Sequence, residues 1–278
     1  MVYIRQVRFV LWMIMGYGGS QMKIFIKILV GLSLLLCACS TNNQEQTSKL
    51  PELHMIPADE SMGTLNDEAG ADAFQNKLDH PDSRYYTVND YYNMESKGSL
   101  HILSHFSVYQ QTTEYSCGCS SALMALYHLG IQDYNEMDIC RLAKTDTRKG
   151  STVEGLVSFF NSVGLRTDAH ADTKKRFDSI QECEQFLIKA IDDGAPVLAD
   201  WIDWSGHWQV IIGIDTVNTD DPYDDVLIMA DPYDVTDHYQ DGYYVVPFGR
   251  FFDMWREGPC AEKDVVYEQP FIAVYPHE

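Results

Sequence analysis

The sequence is short of positive charge: 20 Lys and Arg stand against 41 Asp and Glu, a formal net charge of -21 at pH 7. That balance excludes nucleic acid as a partner and electrostatic attraction to an anionic membrane, since both need clustered cations. It leaves open whether the substrate is basic. No CxxC pair occurs among the seven cysteines, at positions 37, 39, 117, 119, 140, 183 and 260. A zinc site is therefore not expected, and so irregular a set is not the framework of a small disulfide-stapled domain. Cys119, Cys183 and Cys260 remain open as pairing candidates, with Cys140 read as core. No stretch reaches the about twenty apolar residues of a membrane-crossing helix. The acidic run Asp215, Asp220, Asp221, Asp224 and Asp225 lacks the glycine and terminal glutamate of an EF-hand loop, so it reads as a solvated hairpin. No metal or other cofactor is called for.

What is present suffices for one domain of ordinary size with extras: 278 residues, 45% apolar, with 17 tyrosines. The chain divides by composition. Residues 1–21 read as an upstream extension, with translation expected to start at Met22 after Gly18-Gly19-Ser20-Gln21. Residues 22–38 read as a secretory signal, Lys23 and Lys27 preceding eleven apolar or small residues from Ile28 to Ala38. The end of that signal, Leu36-Cys37-Ala38-Cys39-Ser40, resembles the lipobox of bacterial lipoproteins. The resemblance implies lipidation at Cys39 and a membrane partner reached through an N-terminal lipid anchor, on the outer face of the cytoplasmic membrane. Residues 39–100 are polar and read as a tether and lead-in, with Tyr85 to Tyr92 expected to pack on the domain. Residues 101–278 form the domain itself.

That domain is organised around Gln110 to Gly130. Ser116 is placed to cap a helix, and Leu123, Met124, Ala125, Leu126, Tyr127 and Leu129 make that helix apolar almost all round, hence central. Gly130 ends it. Cys117 falls in the first turn, where unpaired amides and the dipole favour negative charge. Gln111, six residues earlier, offers a side-chain amide to an oxyanion. A buried structural cysteine at a helix start is the other reading.

Three more helices are expected: Asn135–Ala143, a third capped by Lys149-Gly150-Ser151-Thr152 and running to Ser162, and Ile180–Asp193. Strands follow at Leu165–Ala171, Pro196–Trp201, Gly206–Val217, Val226–Ala230, Tyr243–Pro247 and Phe271–Tyr275. Helices first and a mainly antiparallel sheet second make an α+β domain. In His207-Trp-Gln-Val-Ile-Ile-Gly-Ile, alternation sets Trp208, Val210, Ile212 and Ile214 towards the core and His207, Gln209 and Ile211 on the other face. His207 is the candidate base, with His238 in reserve. Asp215 lies about 26 Å along the same strand and is out of reach. Asp231, ending Val-Leu-Ile-Met-Ala before Pro232, falls opposite Gln209 and diagonal to His207 in a symmetric hairpin, within side-chain reach. Trp201, Trp204 and Trp208 read as core or as cleft wall.

The ordered set Gln111, Cys117, His207 and Asp231 resembles papain-like cysteine peptidases. The wording Gln-x5-Cys-Gly, the His-led apolar strand and the closing Asp-Pro are most similar to the peptidases that remove double-glycine leaders from bacteriocin precursors. Cys119 departs from the proline or small residue common there, and the loop between His207 and Asp231 is long and acidic. The resemblance implies a papain-like fold, its helical half carrying the nucleophile helix packed on the sheet. It implies a peptide or protein substrate with a glycine-rich cleavage site, and acyl transfer through a thioester. No ATP-binding or membrane-spanning transporter portion is expected in these residues. The rival readings are an acyltransferase or cell-wall amidase using the same residues, and a surface binding module without turnover.

Overall fold

The computed structural model describes residues 50–57, 70–71, 84–85, 87–203, 206–235, 237–257 and 265–277. Contacts divide the chain into Met1–Leu50 and Pro51–Glu278, and the described helices and strands all belong to the second unit. The extension, the signal and Cys39 lie outside the described residues, as do Cys260 and Trp204.

Five helices are described: α1 Cys117–His128, α2 Glu136–Leu142, α3 Val153–Ser162, α4 Ile180–Asp192 and α5 Phe248–Met254. Local chemistry starts three of them. Asn135, Thr152 and Ser179 each accept a hydrogen bond from the backbone amide three residues on, satisfying a donor the helix cannot. Seven strands complete the unit: β1 Leu100–Ile102, β2 Arg166–Asp172, β3 Val197–Trp201, β4 His207–Asp215, β5 Val226–Ala230, β6 Tyr243–Pro247 and β7 Glu268–Tyr275. Their order is β2-β7-β3-β4-β5-β6, every pairing is antiparallel, and β1 pairs with the far end of β4.

As expected, the helical half that carries Cys117 packs on an antiparallel sheet, and two further helices cover the sheet's other face. Leu198, Val210, Ile212, Ile228 and Ile272 face α1, α2 and α3. Val197, Ala199, Ile211, Leu227 and Phe271 face the apolar sides of α4 and α5. The second layer owes much to α5, whose Phe248, Phe251 and Phe252 are buried. Seven residues directly after a strand ending in proline show too little periodicity for a helix to be read from sequence. Consequently every residue of β4 except Asp215 is buried, and His207 is 4% exposed rather than on an open face.

A bulge between Ile211 and Gly213 breaks the alternation of β4. Ile214 therefore joins Ile211 on the second face instead of Ile212 on the first. Gly213 permits this, because a Cβ there would stand 2.9 Å from the carbonyl oxygen of His101 on β1.

The stretch read as tether contributes to this unit as well. Ile56 donates its amide to the Val108 carbonyl at 2.7 Å, Val108 donates to the His54 carbonyl at 3.2 Å, and the His54 ring stacks on Tyr92. Tyr91 and Tyr92 are half-buried, and Ala71 is fully buried.

Buried carboxyls make stability depend on pH. Burial, with neighbouring Asp237 and Asp231 next, pushes Asp234 up to about 9. Burial also raises Asp200 to about 8 and Asp241 to about 7. A folded carboxyl that holds its proton while the unfolded one releases it near pH 4 loses stability as pH rises towards the folded value. His207, raised in the folded state, acts in the same sense: its contribution is full below about pH 6.5 and fades through its higher folded pKa. The exposed Asp146 and Asp172 are lowered, by backbone hydrogen bonds first, and oppose this only in the acid range. The melting temperature is expected to fall on the order of 10 °C between pH 5.5 and 8.5. A flat or rising curve by differential scanning fluorimetry would show these carboxyls ionised in the native state.

Candidate active site

Cys117 opens α1. Ser116 precedes it with φ -95° and ψ 10° but makes no side-chain cap, contrary to expectation. Its hydroxyl instead accepts from the Thr113 hydroxyl at 2.7 Å and donates to the Thr113 carbonyl at 3.3 Å, bracing the turn before the helix. The helix is pinned to the start of β4. Ser121 Oγ donates to the Trp208 carbonyl at 3.1 Å, and Trp208 Nε1 donates to the Ser151 carbonyl at 3.1 Å.

Gly118 lets these elements meet. A Cβ on it would lie 2.7 Å from Ser151 Cβ and 3.1 Å from Trp208 Cδ1. Gly118→Ala gains about 1 kcal/mol of helix propensity but overpacks a buried contact, at a cost of about 1–3 kcal/mol. Net destabilisation is expected in urea denaturation, partly restored when Ser151→Gly is added. Stabilisation by Gly118→Ala alone would show that the contact yields freely.

His207 Nε2 lies 2.6 Å from Asp231 Oδ1, and the Cys117 sulfur is close enough to raise the imidazole, so that with Nε2 taken Nδ1 is the nitrogen left for the thiol. Burial by itself pushes the imidazole down. The charge and hydrogen bond of Asp231, then the Cys117 sulfur, outweigh that and hold His207 well above its ordinary value. The pairing that brings His207 and Asp231 together is the one expected: Val210 faces Ala230 and Ile211 faces Met229, which continues to Gln209 opposite Asp231. The bulge lies farther out and leaves this end of the hairpin in register.

Asp231, 5% exposed, is itself fixed. Oδ1 also accepts from the Tyr233 amide at 2.7 Å, and Oδ2 accepts from Gln209 Nε2 at 2.9 Å. Gln209 Oε1 in turn accepts from Trp201 Nε1 at 2.6 Å and from the Tyr244 hydroxyl at 2.7 Å. Trp201 and Trp208 are thus buried with their N–H groups satisfied, as core residues are.

Gln111 is 1% exposed, and its Nε2 donates to the Thr113 carbonyl at 2.7 Å. Its second contact, to the Glu114 carbonyl, is long at 3.5 Å. The carboxamide therefore lies on the loop leading to Cys117, with one N–H weakly held. The loop is anchored from below by Glu136, fully buried on α2. Its carboxylate accepts from the Tyr109 hydroxyl at 3.0 Å, the Thr112 amide at 3.0 Å and hydroxyl at 2.7 Å, and the Ser120 hydroxyl at 3.1 Å. Sequence reasoning gave no role to Glu136 or Gln209. A glutamate in a first helical turn ordinarily reads as a dipole partner. Gln209 carried a signal: a lone amide in an apolar strand, opposite Asp231.

The other histidines, Asp215 and Cys119 stand apart. His170 Nε2 bonds the exposed Lys174 carbonyl, and burial lowers His128 at the far end of α1. His238 sits with Asp237, Tyr239 and Tyr244 around a separate cavity. Asp215 accepts from the Val217 amide at the other end of β4. Cys119 turns away from His207, its sulfur 3.2 Å from Thr145 Oγ1 and 3.4 Å from Ser151 Oγ, beside the Cys140 thiol. Cys117, Cys119, Cys140 and Cys183 are free thiols. Among the described residues no three His, Cys, Asp or Glu side chains cluster closely enough to hold a metal ion.

A family model described as Peptidase_C39 like family matches residues 103–258, more than half of the chain and a span that holds all four candidate residues. No curated protein matches the chain. Among solved structures, it is similar to the peptidase domain of Streptococcus ComA, a bi-functional ABC transporter involved in a quorum-sensing pathway, at 19% identity and a TM-score of 0.41, over 62% of this chain and 100% of that one. It is also similar to a double glycine motif protease from an AMS/PCAT transporter, solved in complex with the leader peptide, at 13% identity and a TM-score of 0.40, over 62% of this chain and 91% of that one.

Proposed function

The chain belongs to the Peptidase_C39 like family, and so to the cysteine-type peptidases, and from that premise we propose that it hydrolyses peptide bonds at Cys117 on the outer face of a bacterial cytoplasmic membrane. The observation that carries the reading is the buried His207, bonded to Asp231 through Nε2 and held above its ordinary pKa by Asp231 first and the Cys117 sulfur next. Cys117 Sγ attacks the scissile carbonyl, and the amides at the start of α1 and the Gln111 side chain receive the developing oxyanion. His207 holds the thiol proton and gives it to the departing amine, leaving a thioester. Water, deprotonated by His207, then releases the acid and restores the thiol. Asp231 keeps Nε2 of His207 protonated so that Nδ1 serves the sulfur.

Family membership directs the search for substrates to peptides with glycine-rich cleavage sites, leader peptides among them. Anchoring rests on sequence alone: a charged start, an apolar run and Leu36-Cys37-Ala38-Cys39 ahead of a polar stretch. Diacylated Cys39 at the mature N-terminus, seen by mass spectrometry, is the expected outcome, and an unmodified Cys39 overturns that part.

The chemistry is tested by mapping limiting iodoacetamide on the folded protein at pH 6.5, below the ordinary thiol pKa of about 8.5. Cys117 is expected to be alkylated first, and His207→Ala to remove the preference. Equal, slow reaction at Cys117, Cys119, Cys140 and Cys183 would contradict an activated thiol.

A further inference from the structure

A cavity of about 390 Å³ opens along the start of β6, large enough for a side chain with its flanking backbone. Five tyrosines line it: Tyr85 and Tyr91 from the lead-in, then Tyr239, Tyr243 and Tyr244. Three of their hydroxyls are engaged by the protein. Tyr91 accepts from Asn89 Nδ2 at 3.0 Å, Tyr243 donates to the Phe106 carbonyl, and Tyr244 donates to Gln209 Oε1 at 2.7 Å. What these residues offer a ligand is therefore ring surface more than hydroxyl, and ring faces attract cations. Tyr85, 81% exposed, already has the Arg84 guanidinium 5.6 Å from its ring centroid. Charge points the same way. Asp237 and Asp241 also line the cavity, and among the described residues no Lys or Arg does. Burial lifts Asp241 to about 7 and also raises Asp237, and a cation beside them would offset that cost.

The cavity wall is tied to the candidate active site. The Tyr244 hydroxyl reaches Gln209, whose Nε2 holds Asp231 Oδ2 at 2.9 Å. The Asp231 amide donates to the Gly242 carbonyl at 2.9 Å, between Asp241 and Tyr243. β5 stands between β4 and β6, and at about 4.8 Å per strand the wall lies roughly 10 Å from His207. An extended peptide covers that distance in about three residues. We infer that this cavity is a subsite for a lysine or arginine side chain of the substrate, about three residues from the scissile bond, held by the tyrosine rings and the carboxylates of Asp237 and Asp241. That the side chain belongs to a substrate rests on the peptidase reading; the preference for a cation does not. An apolar side chain of the same length leaves the two carboxyls unpaired and binds less well.

The test uses the full chain carrying Cys117→Ala, so that nothing is cleaved, and fluorescein-labelled alanine peptides with a central Gly-Gly. One lysine is moved through the positions on either side, and each peptide is compared by anisotropy with its norleucine counterpart. Lysine is expected to bind at least tenfold tighter than norleucine at one position, or two adjacent ones, about three residues from Gly-Gly. Asp237→Asn with Asp241→Asn keeps the Oδ1 atoms that accept from the Tyr239 and Tyr243 amides. That pair is expected to cut the preference below about threefold and to leave norleucine binding unchanged. Should the double variant fail to fold, tetramethylammonium chloride, compared with sodium chloride at equal concentration, is expected to displace the lysine peptide and not the norleucine one. Three results overturn the inference: lysine no better than norleucine at any position, a gain spread evenly over all positions, as the acidic chain as a whole would give, or a preference that survives the double substitution or the tetramethylammonium. No readout involves Cys117, so failure of the peptidase reading would appear only in the alkylation experiment.

Discussion

Cys117→Ala is expected to lower peptide hydrolysis by about a millionfold, to the background of the assay, while melting stays close to that of the parent. The size follows from removing a nucleophile that acts as one unit with its base. Little packing is lost, since the change deletes one sulfur at a position 8% exposed. Among the described residues no other thiol is placed to take over. Cys119 is two residues on, about 200° around a helix of 3.6 residues per turn, and its sulfur is engaged by Thr145 and Ser151. Cys140 lies behind it and Cys183 belongs to the opposite face of the sheet. A quenched-fluorescence peptide library measures the loss, and peptide capture by the inactive chain separates an enzyme from a binding module. Turnover within tenfold of the parent would remove Cys117 from the chemistry.

Much of the fold was legible because its signals are local. The asparagine, threonine and serine caps at 135, 152 and 179 and the glycines at 130, 164 and 194, all of positive φ, bracket helices within two residues of where they were expected. The strands at 197–201, 226–230 and 243–247 follow from short apolar runs between polar turns. Three features were not legible, for one reason: each depends on what packs against the segment. The Phe248–Met254 helix is defined by its contact with the second face of the sheet. The bulge at Ile212 is tied to the approach of β1 to Gly213. The Ser116 hydroxyl was drawn from its cap by Thr113.

The site divides in the same way. Cys117 could be placed by its helix, and His207 with Asp231 by counting across a hairpin, because period and pairing are arithmetic in the sequence. The groups that hold those side chains in place were not. Glu136 gathers four donors from three residues, Tyr109, Thr112 and Ser120, and such a convergence has no linear signature. Gln209 connects two strands to the carboxylate through a tryptophan and a tyrosine, and its polarity alone did not say which partners it would find.

Gln209 also sets the expected result of Asp231→Asn, a loss of activity on the order of 10²–10³ with a pH profile moved to lower pH. Two donors, His207 Nε2 and the Tyr233 amide, face Oδ1, and one, Gln209 Nε2, faces Oδ2. Asparagine has one acceptor oxygen and one donor nitrogen. Its oxygen goes to the side with two donors, which sets its NH2 against that of Gln209. Gln209 cannot turn over without presenting a donor to Trp201 Nε1, which now donates to its oxygen. The imidazole keeps its tautomer but loses a fixed partner and the charge that raises its pKa. With burial unopposed by that charge, the pKa of His207 falls, and the alkaline limb of kcat/KM moves down with it. Adding Gln209→Glu places a carboxylate where the second asparagine proton needs an acceptor, while its other oxygen still receives Trp201 and Tyr244. Recovery of at least tenfold over Asp231→Asn alone is expected, whereas Gln209→Glu by itself sets two carboxylates 2.9 Å apart and is expected to impair the enzyme. Simple additivity of the two changes would mean that Gln209 does not orient Asp231, and unaltered activity in Asp231→Asn would reduce that carboxylate to a packing role.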